Sequence, residues 1–307
     1  MKLYTAEQIH KWDQYTIKNA RISSVDLMEK AVLRCEEFIL NFIQKNRINT
    51  VKIFCGSGNN GGDGYALARR LALAGQMVIV YHVESKRVTS NENQTNYFRL
   101  IHESNIQPKL IKSTNDFPNL EKNDLVIDAL LGIGGTHPLD ELLDGLIKHI
   151  NNSVAKVLAI DVPSGLPADI NEPVDLDNLT IIKANETLTF QIPKTFFLLA
   201  DAYPYTGNFN IIDIGLLPDF EYDENSSVYY ITEELIKQTP FNRPKFSNKG
   251  TFGHLLIISG SYGKIGAAVL ASQGALRTGC GLVTTHVPSS GNVILQTAIP
   301  EAMVSID

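Results

Sequence analysis

The sequence predicts an α/β protein built on an open, doubly wound parallel sheet, and three observations carry that prediction. From Thr50 to about Gly215, short β-prone runs alternate with helical stretches, the pattern of strands joined by helical crossovers. The first of these units is complete: residues 51–55 form a strand, a glycine-rich segment follows, residues 65–73 read as helix with Gly75 to end it, and residues 77–81 form the next strand. Three strands then end in segments rich in glycine or turn-forming carboxylates, at the sheet edge where ligands bind in such folds.

The remaining elements follow in order. Ile9, Trp12, Tyr15 and Ile17 recur at roughly helical spacing behind a possible cap at Thr5. A second helix over residues 24–45 carries Leu27, Met28, Ala31, Val32, Cys35, Phe38, Ile39 and Phe42 on one side. Neither leading helix has a catalytic signature, and both are expected to form a packing layer or an oligomer contact. Beyond the first crossover, residues 91–104 read as helix, 110–111 as a short strand, 124–128 as a buried strand, 139–150 as helix and 154–161 as strand. Two more strands are expected at 186–190 and 208–214. Residues 218–248 are acidic, then bear proline and asparagine, and read as a linker. A new pattern follows, with strand 254–258, loop 260–263, helix 267–278 and strand 281–286. Some sixty residues (~60) are too few to close an α/β sheet of their own, so this segment is expected to be the start of a larger domain.

Composition narrows the function classes. The chain has 307 residues, 44% hydrophobic and 20% charged, with a net charge of −6 spread along its length. That is a soluble globular composition, long enough for two domains. No basic run suggests nucleic acid or an anionic membrane surface as partner. No apolar stretch reaches the ~20 residues a membrane helix needs, and Met1-Lys2-Leu3-Tyr4-Thr5 lacks a signal peptide's apolar core. Cys35, Cys55 and Cys280 are odd in number and far apart, with no metal-ligand spacing, which favours a reducing, cytoplasmic setting.

Three segments could carry chemistry. Asn59-Asn60-Gly61-Gly62-Asp63-Gly64 follows the first strand; its glycines would let backbone amides approach a ligand at a helix N-terminus, or would simply make a tight, capped turn. It matches neither the dinucleotide fingerprint nor a Walker loop. Asp128 ends an apolar strand before Leu131-Gly132-Ile133-Gly134-Gly135-Thr136-His137-Pro138, and either caps that loop or takes a cation with Asn60. Asp161, before Val162-Pro163-Ser164-Gly165, is a turn former or an acid–base group. Lys194 follows another strand and is either a surface lysine or a contact for phosphate or proton transfer. No Ser-His-Asp or Cys-His arrangement is legible.

In this order and spacing, Asn59 to Gly64, Asp128-Ala129-Leu130-Leu131-Gly132, Asp161 to Gly165, and Thr187-Leu188-Thr189-Phe190 with Lys194 resemble the NAD(P)H-hydrate epimerases. The resemblance covers roughly residues 1–220 and implies a Rossmann-like doubly wound domain there, with a linker over 221–248. Residues 249–307 resemble the N-terminal part of the ADP-dependent NAD(P)H-hydrate dehydratases, through Lys249-Gly250-Thr251-Phe252-Gly253-His254, Gly260-Ser261-Tyr262-Gly263 and the run from Ala275 to Val283. That likeness implies an incomplete ribokinase-like segment whose catalytic half is missing, so no dehydratase activity is expected of this chain.

The epimerase resemblance implies substrate contacts at Asn59, Asn60, Gly61, Gly62 and Asp63, at Gly132, Ile133, Gly134, Gly135, Thr136, His137 and Pro138, and at Asp161. It implies a potassium ion at Asn60, Asp128 and Ser164, and a homodimer. His137 stands where the family usually carries arginine, and a neutral imidazole holds phosphate less firmly; Asn185 replaces a more usual aspartate. The expected reaction is epimerisation of hydrated NADH or NADPH at C6 of the nicotinamide ring, with Asp161 moving the proton and Lys194 assisting. The rival readings are a non-catalytic nucleotide-binding or scaffolding module and, from the C-terminal segment, a small-molecule kinase.

Overall fold

The computed structural model describes residues 1–85, 88–134, 139–170, 174–220, 226–238 and 242–307. The chain divides into two compact units, Met1–Thr232 and Glu233–Asp307.

Unit 1 is organised by a seven-stranded sheet in the order β3-β2-β1-β4-β5-β6-β7. The strands are β1 (Thr50–Cys55), β2 (Val78–Val83), β3 (Lys109–Ile111), β4 (Asp124–Ala129), β5 (Lys156–Ile160), β6 (Glu186–Phe190) and β7 (Asn208–Ile212), with the one-turn helix α6 (Tyr203–Thr206) just before β7. Every pairing is parallel. The chain runs outward from β1 to β3, then returns to the other side of β1 with β4. The strand order thus reverses between β1 and β4, and a crevice opens there at the carboxyl ends. β4 is buried along its whole length, as expected of a central parallel strand covered on both faces.

Two apolar layers enclose the sheet. On one face α2 (Ser24–Asn46), α3 (Asn59–Leu73) and α4 (Asn91–Ser104) pack through Val32, Cys35, Ile39, Leu67, Leu71 and Leu100 onto Ile53, Leu125 and Ile127. On the other, Leu143, Leu146, Ile147 and Ile150 of α5 (Glu141–Asn151) cover Phe54, Val126 and Val157. α2 begins at a capping box in which Ser23 and Asp26 satisfy each other's backbone amides.

The leading helix α1 (Ala6–Ala20) starts at a second capping box, Thr5 with Gln8. It packs Ile9 and Trp12 into a cluster with Leu27, Ile192, Ile214, Leu216 and Phe220. The Trp12 indole donates to the Leu217 carbonyl at 2.7 Å, and the Leu217 amide donates to the Thr16 hydroxyl at 3.0 Å. These bonds fasten α1 to the segment leaving β7. The first described residues of the segment read as a linker are also fastened, with Leu3 N–H donating to the Val228 carbonyl at 3.0 Å and Tyr230 N–H to that of Met1 at 2.9 Å.

One boundary differs informatively from the sequence reading. Residues 59–64 are not a loop but the opening of α3, whose N-cap is Gly58. Their glycines would weaken an isolated helix, but this helix packs too tightly for side chains. A Cβ on Gly61 would lie 2.0 Å from the Gly56 carbonyl oxygen, and one on Gly64 would lie 2.7 Å from the Cys55 sulfur. Tertiary contact overrides propensity.

Unit 2 holds a three-stranded parallel sheet, β10-β9-β8, made of β8 (His254–Ile258), β9 (Leu282–Val287) and β10 (Met303–Ile306). Ahead of it lies α7 (Glu233–Gln238); α8 (Ile265–Arg277) and α9 (Asn292–Ala298) pack with the strands around Ala268, Val283, Val287 and Leu295. α9 and β10 have no counterpart in the sequence reading. Cys35, Cys55 and Cys280 are all free thiols. No helix among the described residues is long and apolar enough to cross a membrane.

Candidate active site

A cleft of about 530 Å³ opens over the carboxyl ends of β1, β4, β5 and β6. Asn59, Asn60 and Asp63 line it from α3, Gly132, Ile133 and Gly134 from the segment after β4, and Asp161 from the end of β5. The fold therefore gathers the three separated segments at one edge. Asp128, Ser164 and Lys194 lie buried behind this lining. Gly135, Thr136, His137 and Pro138 lie outside the described residues.

Gly61 and Gly62 do not line the cleft. Gly61 backs onto the Gly56 carbonyl and Gly62 onto Met28 and Asn93, so both serve the packing of α3 rather than a cradle. The turn before the helix is held from α4, where the buried Asn93 amide donates to the carbonyls of Gly56 and Gly58, each at 2.9 Å.

Asp161 has an unusual backbone. Its φ is +63°, a region that side chains with a Cβ rarely adopt. The Val162 amide bonds back to the Ile160 carbonyl at 2.8 Å, closing a three-residue turn, while the Asp161 amide still bonds Leu188 of β6. The neighbouring strand ends alike: Gln191 has φ +61°, and the Ile192 amide bonds back to the Phe190 carbonyl at 2.7 Å. Both turns run into a proline, Pro163 and Pro193, so two adjacent strands stop in register. This geometry delivers Lys194 to Asp161. The ammonium lies 2.8 Å from Asp161 Oδ1 and 3.2 Å from the Phe190 carbonyl oxygen, and the lysine is 1% exposed. The Phe190 amide also donates to Asp161 Oδ1, at 3.2 Å, which leaves Oδ2 for a group in the cleft.

Two further carboxyls share this environment. Asp63 is driven well above the usual carboxylate range, first by burial and then by the charges of Asp161 and Asp13. Both causes bias this carboxyl toward its protonated form, in which it offers an O–H donor. Asp13 is pushed up to about 7 by burial and by Asp161, with Lys194 opposing. Asp13 comes from α1 and, with His10, lines the cleft. The leading helix is thus part of the site wall, contrary to the expectation that it serves only packing or oligomer contact. The available signal was a carboxylate beside Trp12 on the face that buries Ile9 and Thr16.

An oxygen-lined network lies at the β4 end. The Ser164 hydroxyl donates to Asp128 Oδ1 at 2.6 Å, and the Ser164 amide to Oδ2 at 2.7 Å. The Leu131 amide donates to Ser164 Oγ at 2.9 Å, and the Leu131 carbonyl accepts from the Asn60 amide nitrogen at 2.8 Å. That bond fixes the orientation of the Asn60 amide and leaves Oδ1 buried with no hydrogen-bond partner. An orphaned carbonyl beside this network costs free energy unless a hydrogen-bond donor or a cation meets it. Burial lifts Asp128 to about 6 against the bonds from Ser164 and Leu130, so this carboxyl too would gain from a cation. Among the described residues no cluster of three or more histidine, cysteine or acidic side chains could hold a metal ion. Amide, hydroxyl, carbonyl and one carboxylate oxygen form a different set, hard and of low charge, which fits a large monovalent cation such as potassium.

Asn185, at the opposite end of the sheet, has a structural explanation. Its side-chain oxygen accepts from the Val157 amide at 2.8 Å while its own amide donates to the Val157 carbonyl at 2.8 Å, splicing β5 to β6.

Residues 24–196 match the family described as YjeF-related protein N-terminus. An NAD(P)H-hydrate epimerase of Limosilactobacillus reuteri (strain DSM 20016) is 36% identical over 207 residues, which cover 67% of this chain and 92% of that protein. The bifunctional NAD(P)H-hydrate repair enzyme Nnr of Dictyoglomus turgidum is 30% identical over 311 residues, 98% of this chain but 57% of that protein. The chain thus spans little more than half the length of that bifunctional relative. The crystal structure of yeast ynu0 superposes with a TM-score of 0.59 at 18% identity, covering 76% of this chain and 98% of that one, a likeness of fold. The match to residues 24–196 and the near-complete coverage of the Limosilactobacillus protein place the chain in the YjeF-related protein N-terminus family.

Proposed function

We propose that unit 1 is an isomerase of nicotinamide nucleotide repair that interconverts the R and S forms of hydrated NADH and NADPH at C6 of the nicotinamide ring. The observation that carries this reading is the buried Asp161–Lys194 pair at the floor of the cleft. Family membership and the epimerase name of the Limosilactobacillus relative support it.

The substrate bears a hydroxyl on the carbon beside the ring nitrogen. Inverting that centre needs neither a redox step nor a protein nucleophile. The nitrogen lone pair expels hydroxide to give a planar iminium, and water adds from the other face. The reaction needs a group that moves protons without leaving its place. Asp161 is that group, with Lys194 holding its charge and orientation. Asp63, whose buried carboxyl is biased toward its protonated form, is placed to hydrogen-bond the ring substituents or departing oxygen. Asn59, Asn60 and the backbone of residues 132–134 hold the rest of the nucleotide along the cleft. In this reading Asn60, Asp128 and Ser164 would hold a potassium ion, which would supply a fixed positive charge beside the cleft.

The test is direct. Incubated with the separated R epimer, the protein is expected to bring it to the R/S equilibrium far faster than buffer does. Binding without interconversion would mark a nucleotide-binding module instead.

A further inference from the structure

The proposed reaction requires protons to be handled on both faces of the ring, because hydroxide leaves from one face and water enters from the other. Asp161 meets the cleft from the sheet edge. A second carboxyl meets it from α1. Asp13 lines both the 530 Å³ cleft and an adjoining 270 Å³ chamber, and the two spaces share His10, Asn59, Asp63 and Phe190 as well. The chamber's inner wall is apolar, with Ile17, Leu27, Met28, Ala31 and Ile214. No hydrogen bond from a described residue meets the Asp13 carboxyl, although Trp12 and Thr16 anchor its helix on both sides. A half-buried carboxyl with no structural partner, on a pinned helix at the mouth of a chamber, has a reason to be there beyond folding.

Resting on the epimerase reading, we propose that Asp13 is the second acid–base residue, serving the face of the nicotinamide ring opposite to Asp161. In one direction, the Asp13 carboxylic acid gives its proton to the departing hydroxyl. The C6–O bond breaks, its electron pair leaves with the oxygen as water, and the nitrogen lone pair forms the C=N bond. The Asp161 carboxylate then takes a proton from a solvent water whose oxygen bonds C6 from the other side, and the C=N electrons return to nitrogen. The pair ends with its proton moved from Asp13 to Asp161, and either the reverse epimerisation or exchange with solvent resets it. Both directions therefore need a pair that carries one proton.

The charged and titratable groups facing Asp13 are His10 on its own helix, Asp63 on α3, Glu92 on α4, and Asp161 and Lys194 from the strand ends. The experiment measures kcat and KM for both epimers between pH 5.5 and 9, in the wild-type chain and in Asp13→Asn and His10→Gln. For the wild type, kcat/KM is expected to fall in both directions as pH rises through about 7, where Asp13 loses its proton. Asp13→Asn is expected to lower kcat about 100-fold, with KM within about three-fold, and to abolish that inflection. His10→Gln keeps the inflection. Wild-type kcat in Asp13→Asn, or an inflection retained there and lost in His10→Gln, overturns the proposal while leaving the epimerase reading intact. A wild type that does not epimerise overturns both. If Asp13→Asn fails to fold by circular dichroism, the wild-type profile decides, and one flat across pH 7 contradicts the assignment.

Discussion

Lys194 and Asp161 leave adjacent strands through matching three-residue turns and meet at 2.8 Å, with the lysine fully buried. The pair is buried beside two more carboxyls, Asp13 and Asp63, and Lys194 is the cation that offsets the charge of Asp161 and Asp13. Removing it leaves buried negative charge uncompensated. Lys194→Met is expected to destabilise unit 1 by about 3–5 kcal/mol at pH 8 and by less at pH 5, where Asp13 carries its proton. Urea unfolding at the two pH values measures the difference; an equal loss at both would argue that the lysine acts through packing alone.

Asp13 gives a prediction of opposite sign. Its folded value of about 7 lies above the ordinary 3.8, so the folded state binds its proton more tightly than the unfolded state. The resulting stabilisation is fully present below pH 3.8 and is lost as pH rises through about 7. Asp13→Asn escapes that loss. It is expected to be more stable than wild type by on the order of 2 kcal/mol at pH 8 and indistinguishable near pH 3.5. A variant that gains stability while losing activity is what a functional carboxyl predicts; melting curves across the pH range report it.

The cation site is tested by ion replacement. Potassium exchanged for tetramethylammonium at constant ionic strength should lower the melting temperature by a few degrees, because an ion bound only to the folded state stabilises it by mass action. Asn60→Ala, which removes the orphaned Oδ1, should abolish that sensitivity. Equal melting in the two salts counts against the site.

Packing glycines and cleft glycines should separate cleanly. Gly61→Ala places a Cβ 2.0 Å from the Gly56 carbonyl oxygen and is expected to cost more than about 3 kcal/mol. Gly132→Ala places one 3.4 Å from Asn60 Cβ, an ordinary contact, and is expected to change stability by no more than about 0.5 kcal/mol. Its effect should instead appear in KM. Thermal denaturation together with steady-state kinetics of both variants checks the contrast.

Most of unit 1 was legible because its strands are short apolar runs between turn residues, and the parallel order follows from the crossovers. The convergence of Asp128, Asp161 and the segment after β1 followed from the same rule. Two features were not legible, each for a physical reason, and a third was only half legible. The run from Asn59 to Gly64 looks like a loop, since its helical state depends on contact with Gly56, Cys55 and Asn93, residues of other elements. Asp13 reads as one more polar residue on an amphipathic helix, since its neighbours Asp63 and Asp161 are remote in sequence. Lys194 is open from its own residues, a surface lysine or a proton-transfer contact, and is named as a helper of Asp161 by the resemblance; what the sequence does not show is the paired turns after β5 and β6 that turn it inward.

The central claim is that Asp161 moves the proton as C6 inverts, and Asp161→Asn tests it most directly. Asparagine tolerates the left-handed backbone that this position requires, so the fold should survive. Following the pure R epimer into the S form at neutral pH, the wild-type chain is expected to interconvert the two rapidly and Asp161→Asn at least about 100-fold more slowly. A variant that epimerises within a few-fold of wild type would contradict the account.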